Sequence, residues 1–72
     1  MKNKNKIKIT MNGKQISLNQ NLPLKKLVER LKIPLNKVAI ELNKEIVNKK
    51  KLNQILLKNK DKIEIVHFIG GG

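Results

Sequence analysis

The chain has 72 residues, enough for one small domain. A body of this size buries only about 60% of the surface its unfolded chain exposes, so it depends on a well-formed core. Seventeen Lys and Arg against five acids give a net charge of +12, with no cysteine and one histidine. Disulfides and Cys-based zinc sites are thereby excluded, and His67 cannot build a metal site alone. The acids, Glu29, Glu41, Glu45, Asp61 and Glu64, are scattered singly, which leaves no carboxylate pair for acid–base chemistry.

No apolar run exceeds three residues, as in Val38-Ala39-Ile40 and Ile55-Leu56-Leu57, too short for a bilayer span or a secretory core. The basic start Met1-Lys2-Asn3-Lys4-Asn5-Lys6 leads straight into a strand pattern, so no transit peptide and no membrane association are expected. Strong positive charge is the usual footprint of a nucleic-acid binder. Here, however, Lys, Asn and Ile make up 36 of the 72 residues and Arg30 is the only arginine. These residue types have AT-rich codons, which accounts for the charge without phosphate contacts and fits a bacterial or plastid genome. Arginine forks and stacking aromatics, the usual means of nucleic-acid binding, are missing apart from Phe68, so no nucleic-acid partner is expected. The lysine excess can still steer the chain towards an acidic partner.

In chain order, Ile7, Ile9 and Met11 alternate with Lys8 and Thr10, and Ile16 and Leu18 alternate with Gln15 and Ser17. Asn12-Gly13 between them predicts a hairpin, because both residues accept the positive φ of a two-residue turn. The polar Asn19-Gln20-Asn21 offers a helix N-cap with Pro23 in the first turn. Leu24, Leu27, Val28 and Leu31 then recur at helical spacing, with Pro34 as the stop. Val38, Ile40 and Leu42 predict a third strand and Glu45-Ile46-Val47 a short fourth. Leu52, Ile55 and Leu56 suit one helical or 3₁₀ turn, preceded by Lys49-Lys50-Lys51 as a solvated loop. The Asn59-Lys60-Asp61 turn leads into a last strand, in which Ile63 and Ile65 point one way and Glu64, Val66 and Phe68 the other. His67 shares the parity of Ile63 and Ile65, and is read as a partly buried structural residue.

This order describes an α+β fold: a mixed sheet of four to five strands packed on one main helix. The helix stripe is expected to cover Ile7, Ile9, Ile16, Leu18, Val38, Ile40, Ile63 and Ile65. Val66, Phe68 and Ile69 are left over and form a candidate partner-binding surface. They lead directly into Gly70, Gly71 and Gly72. Glycine lacks Cβ, so such a tail can lie extended in a narrow channel and bring a terminal carboxylate to another enzyme's catalytic groups. The expected organisation is a single domain over 1–69 followed by a flexible glycine tail over 70–72.

The β-grasp order with a terminal Gly-Gly resembles the ubiquitin-like sulfur carriers. Val38-Ala39-Ile40-Glu41-Leu42-Asn43-Lys44-Glu45-Ile46-Val47 and Ile63-Glu64-Ile65-Val66-His67-Phe68-Ile69-Gly70-Gly71-Gly72 resemble the ThiS family more specifically, and Met11-Asn12-Gly13 fits as well. The resemblance covers essentially the whole chain. One departure is Lys44, where the family commonly has glycine; the Asn43-Lys44 turn is therefore expected to be mildly strained or looser.

The resemblance implies a carrier protein with no catalytic residues of its own, acted on in thiamine biosynthesis. A ThiF-like adenylyltransferase, using ATP and magnesium, would activate the Gly72 carboxylate. A persulfide donor would convert it to a thiocarboxylate, and a ThiG-like thiazole synthase would take the sulfur into the thiazole ring. No bound cofactor or metal is implied. A cytoplasmic monomer is expected, or a stromal one if the chain is plastid-encoded. Competing readings are a sulfur carrier for molybdopterin synthesis, a protein-conjugating ubiquitin-like modifier, and a basic β-grasp RNA-binding module. The first typically carries prolines before Gly-Gly, unlike His67-Phe68-Ile69.

Overall fold

A computed structural model describes residues 6–69 of the chain. The first hairpin pairs β1 (Lys6–Met11) with β2 (Lys14–Asn19), with Ile7 opposite Leu18 and Ile9 opposite Ile16. Its turn holds Asn12 at φ 48° and Gly13 at φ 83°, the paired positive values that match the twist of two antiparallel strands. Helix α1 (Leu24–Arg30) crosses one face of the sheet. After a 3₁₀ turn (Leu35–Lys37) come β3 (Val38–Leu42) and β4 (Glu45–Ile46), then a 3₁₀ segment (Lys49–Gln54) and β5 (Lys62–His67). The five strands lie in the order β2-β1-β5-β3-β4, with β5 parallel to β1 and antiparallel to β3. The last strand in sequence is thus the central strand in space. Helix on one face, solvent on the other, makes this the β-grasp arrangement.

The core forms where the alternating strand residues meet the helix. Ile7, Ile9, Leu18, Leu24, Leu27, Val28, Val38, Ile40 and Ile63 are buried, whereas Ile16 and Ile65 are only partly covered and pack against its margin. The core also takes in Leu52, one of the residues at helical spacing, and Val47 and Leu57, which periodicity did not single out. Leu57, not Leu56, is the inward residue: the Leu57 N–H donates to the Leu22 carbonyl at 2.8 Å and turns its side chain under the sheet, leaving Leu56 46% exposed. The Leu24 N–H likewise donates to the Ile55 carbonyl at 2.8 Å, so a short bridge around Pro23 and Leu56 ties the helix start to this segment. A seven-residue helix is too short to persist by itself. It stands because Leu24, Leu27 and Val28 are buried against the sheet.

Both ends of α1 differ from the sequence expectation. Asn19 closes β2 and Asn21 sits at φ 63° in the following turn, so the N-cap is Pro23, without a side-chain cap bond. At the other end Pro34 is not the stop. Lys32 takes a left-handed φ of 56°, its N–H donates to Glu29 (3.1 Å), and the Ile33 N–H donates to Val28 (3.1 Å). These two bonds make a Schellman closure in which lysine occupies the place usually held by glycine, and Ile33 supplies the accompanying apolar contact. Leu31 is therefore the C-cap, 44% exposed, and drops out of the buried stripe.

The turn at Asn43-Lys44 keeps the two-residue geometry, with φ 52° and 73°; the lysine is strained and the turn is not looser. Asn43 also fastens this turn to the start of β5. Its N–H donates to the Lys62 carbonyl (2.7 Å), its Oδ1 accepts from the Lys62 N–H (2.9 Å), and its Nδ2 donates to Asp61 (3.0 Å). Val47 lies just past β4 and its N–H donates to Ile40 at 2.8 Å, which draws it into the core.

Candidate functional site

Although β5 is central, β1 pairs with it only at Lys62 and Ile63, so the C-terminal end of β5 has a strand neighbour on the β3 side alone. On the β3 side the ladder runs from Leu42 opposite Ile63 to Val38 opposite His67, and the Phe68 N–H adds a further bond to the Lys37 carbonyl at 2.9 Å. The Phe68 ring lies beneath Lys49, whose Nζ is 5.3 Å from the ring centroid and also donates to the Leu35 carbonyl. This cation–ring contact helps seat the aromatic side chain. Lys49 is accordingly half-buried, unlike Lys50 and Lys51, so the three-lysine run is not uniformly the solvated loop expected. No sequence spacing links Lys49 to Phe68; only the fold does.

Ile69, the last described residue, is 96% exposed. Gly70, Gly71 and Gly72 lie outside the described residues, as does the start of the chain. From Phe68 to Gly72 there are four residues, which covalent geometry limits to about 13–14 Å of reach.

Val66, on the sheet face opposite the helix, and Phe68, just past the end of β5, are each about half exposed. Val66 is paired with Ala39, and Ile46 of β4, opposite Glu41, faces the same way. Val66, Phe68 and Ile69 therefore occupy the exposed position expected for them, and Ile46 extends the apolar surface. The sequence signal for Ile46 was its register in the second hairpin, where it falls on the Glu41 face. His67 is exposed, not partly buried, at the last pair of the strand ladder. Sharing parity with Ile63 does not bury a residue at the end of a strand.

Among the described residues no three His, Asp or Glu side chains are close enough to hold a metal ion. A hollow of about 480 Å³ lined by Leu42, Asn43, Gln54, Ile55, Leu56, Lys58 and Asp61 lies at the other end of β5. In that hollow Asp61 accepts from the Lys58 N–H at 2.8 Å and from Asn43, so its carboxylate serves to hold a turn. No helix among the described residues is long and apolar enough to cross a membrane.

The ThiS family model matches residues 3–72. The chain is 34% identical over 65 residues to the sulfur carrier protein ThiS of Bacillus subtilis, covering 89% of this chain and 98% of that protein. It is 38% identical over 66 residues to a thiazole synthase of Paramagnetospirillum magneticum. That match covers 92% of this chain, which spans about a fifth of the synthase's length (20%). The crystal structure of the thiamine biosynthesis protein ThiS from Geobacter metallireducens superposes with a TM-score of 0.80 at 29% identity, covering 92% of this chain and all of that one (100%). With the family match running from the first strand through the glycine tail, and the β-grasp body beneath it, the chain belongs to the ThiS family.

Proposed function

We propose that the chain is a sulfur carrier of thiamine biosynthesis, with the Gly72 carboxylate as its reacting group. The observation that carries this reading is that the family match includes Gly70, Gly71 and Gly72, which follow Phe68, the last backbone-bonded position among the described residues, with only Ile69 between. In this reading residues 1–69 are a single domain and 70–72 its glycine tail. A carboxylate is a poor acyl donor, so an adenylyltransferase similar to ThiF lets its oxygen attack the α-phosphorus of ATP, and pyrophosphate departs. The mixed anhydride then has AMP as a good leaving group. A persulfide sulfur attacks the carbonyl carbon and displaces AMP, and a thiol reduces the resulting S–S bond to leave a thiocarboxylate on Gly72. ATP, magnesium and the sulfur relay belong to the partners, and the carrier is a co-substrate instead of an enzyme.

The residues of this chain contribute presentation. Gly70 and Gly71 give clearance in a narrow channel, Phe68 fixes the point of exit, and Val66, Phe68 and Ile69 supply apolar contact to each partner in turn. The resemblance to a segment of a thiazole synthase supports a ThiG-like enzyme as the sulfur acceptor. The proposed setting is a compartment with ATP and reducing thiols, the cytoplasm or a plastid stroma, and the carrier is proposed to be monomeric between partners. Deletion of Gly71 and Gly72 tests the reading: the truncated chain should fold with an unchanged melting temperature and support no thiazole formation in a reconstituted assay. Retained activity would overturn it.

A further inference from the structure

The parallel contact between β1 and β5 is short. Only Thr10 opposite Lys62 and Met11 opposite Ile63 pair as strands before β1 turns away at Asn12-Gly13. The Asn12 N–H still donates to the Ile63 carbonyl at 3.0 Å. The Asn12 side chain then continues where the backbone has left: its Oδ1 accepts from the Ile65 N–H at 2.8 Å, and its Nδ2 donates to the Ile65 carbonyl at 3.4 Å. One carboxamide thus imitates the next residue of a strand. Three positions later the Phe68 N–H is held from the other side by Lys37. The end of β5 is gripped from both flanks, by β3 on one side and by a single side chain on the other.

The residue requirement is narrow. Position 12 needs φ 48°, which Gly, Asn and Asp tolerate. Of these only Asn carries both an acceptor and a donor to match a peptide group. Asp keeps the acceptor, and Gly keeps the turn without any arm.

We propose that the Asn12 carboxamide is a positioning residue for the tail, fixing through Ile65 the direction in which Phe68 and Ile69 launch the three glycines towards the adenylating partner. The proposal rests on the carrier reading above. A strand end held only by β3 can swing about that ladder, and each carrier molecule then meets its partner with a smaller fraction in the productive direction. The apparent affinity falls by that fraction, while the chemical step, once the tail is seated, is unchanged.

The test compares the full-length unsubstituted chain with Asn12→Gly and Asn12→Asp, using a ThiF-family adenylyltransferase with ATP and magnesium, and measures backbone amide exchange in parallel. For Asn12→Gly, the loss of a net hydrogen bond should speed Ile65 amide exchange and raise the KM for the carrier by up to about tenfold each, with kcat within about twofold. The amides of Leu27 and Ile40, remote from the clamp, should keep their protection. Asn12→Asp should restore Ile65 protection and most of the KM. An Asn12→Gly chain with unchanged KM, or equal losses in both variants, or exchange accelerated throughout the chain, would overturn the positioning role while leaving the carrier reading intact. An unsubstituted chain that is not adenylated at all would overturn the carrier reading, and this proposal with it.

Discussion

Three lysines, Lys32, Lys44 and Lys60, sit at φ 56°, 73° and 74°, where a β-carbon crowds the following carbonyl and costs about 1–2 kcal/mol. Two of them occupy places where glycine is the usual solution: the Schellman closure of α1 and the β3–β4 turn. Lys32→Gly and Lys44→Gly should each stabilise the fold by up to about 1 kcal/mol, the glycine entropy cost offsetting part of the relief. For a domain this small, thermal unfolding should show midpoints higher by a few degrees, about 4–8 °C per kcal/mol. Two neighbouring leucines offer a sharper contrast. Leu57 is fully buried and Leu56 is half exposed, so Leu57→Ala should lose about 2–5 kcal/mol and Leu56→Ala less than about 0.5 kcal/mol, read by denaturant unfolding. This distinction was not legible in Ile55-Leu56-Leu57. Three consecutive apolar residues fit several phases, and the phase was decided by the Leu57 bond to Leu22, 35 positions away in the chain.

At the scale of elements, the strands were legible because alternation has a period of two and Asn12-Gly13 accepts the positive φ of a two-residue turn. The ends of α1 were not. Neither Pro23 as cap nor Lys32 as terminator has a composition signal, since both were chosen by packing against the 3₁₀ segment and the sheet. The central place of β5 also arises from non-local pairing, which periodicity cannot report. That pairing sets Glu41 directly opposite Glu64 on the sheet face away from the helix, where Glu64 also has Lys62 at 4.0 Å. Like charges across a ladder are unfavourable, so Glu41→Lys should stabilise the sheet by about 0.2–1 kcal/mol, a gain that shrinks as salt is added. Thermal melts of the substituted and unsubstituted chains at low and high ionic strength measure it directly. An equal or lower midpoint for Glu41→Lys at low salt would count against the register between β3 and β5.

Over the whole molecule, the candidate surface was legible by subtraction. Once the helix stripe and the alternating strand residues were assigned to a core, Val66, Phe68 and Ile69 had no use inside, and the structure leaves all three exposed. What subtraction could not supply was the seating of Phe68 by Lys49 and Lys37, residues from two separate connections. Since the Phe68 ring is half exposed, Phe68→Ala should leave the melting temperature within a few degrees, about 1 kcal/mol or less. The same substitution should weaken partner binding about tenfold, as expected of an aromatic anchor at an interface. Calorimetry of the free chain and titration with the adenylyltransferase separate the two effects. The charge of +12 adds a kinetic signature: association with an acidic partner should slow as ionic strength rises, with little change in dissociation.

The central claim is that Gly72 carries sulfur. The most direct measurement is the intact mass of the chain after incubation with a ThiF-family adenylyltransferase, ATP, magnesium, a persulfide donor and a reducing thiol. The account predicts a gain equal to the replacement of one oxygen by one sulfur, localised by fragmentation to the last residue and lost in the chain lacking Gly71 and Gly72. An unchanged mass, or an amide-linked adduct to another protein through Gly72 that survives the thiol, would contradict it.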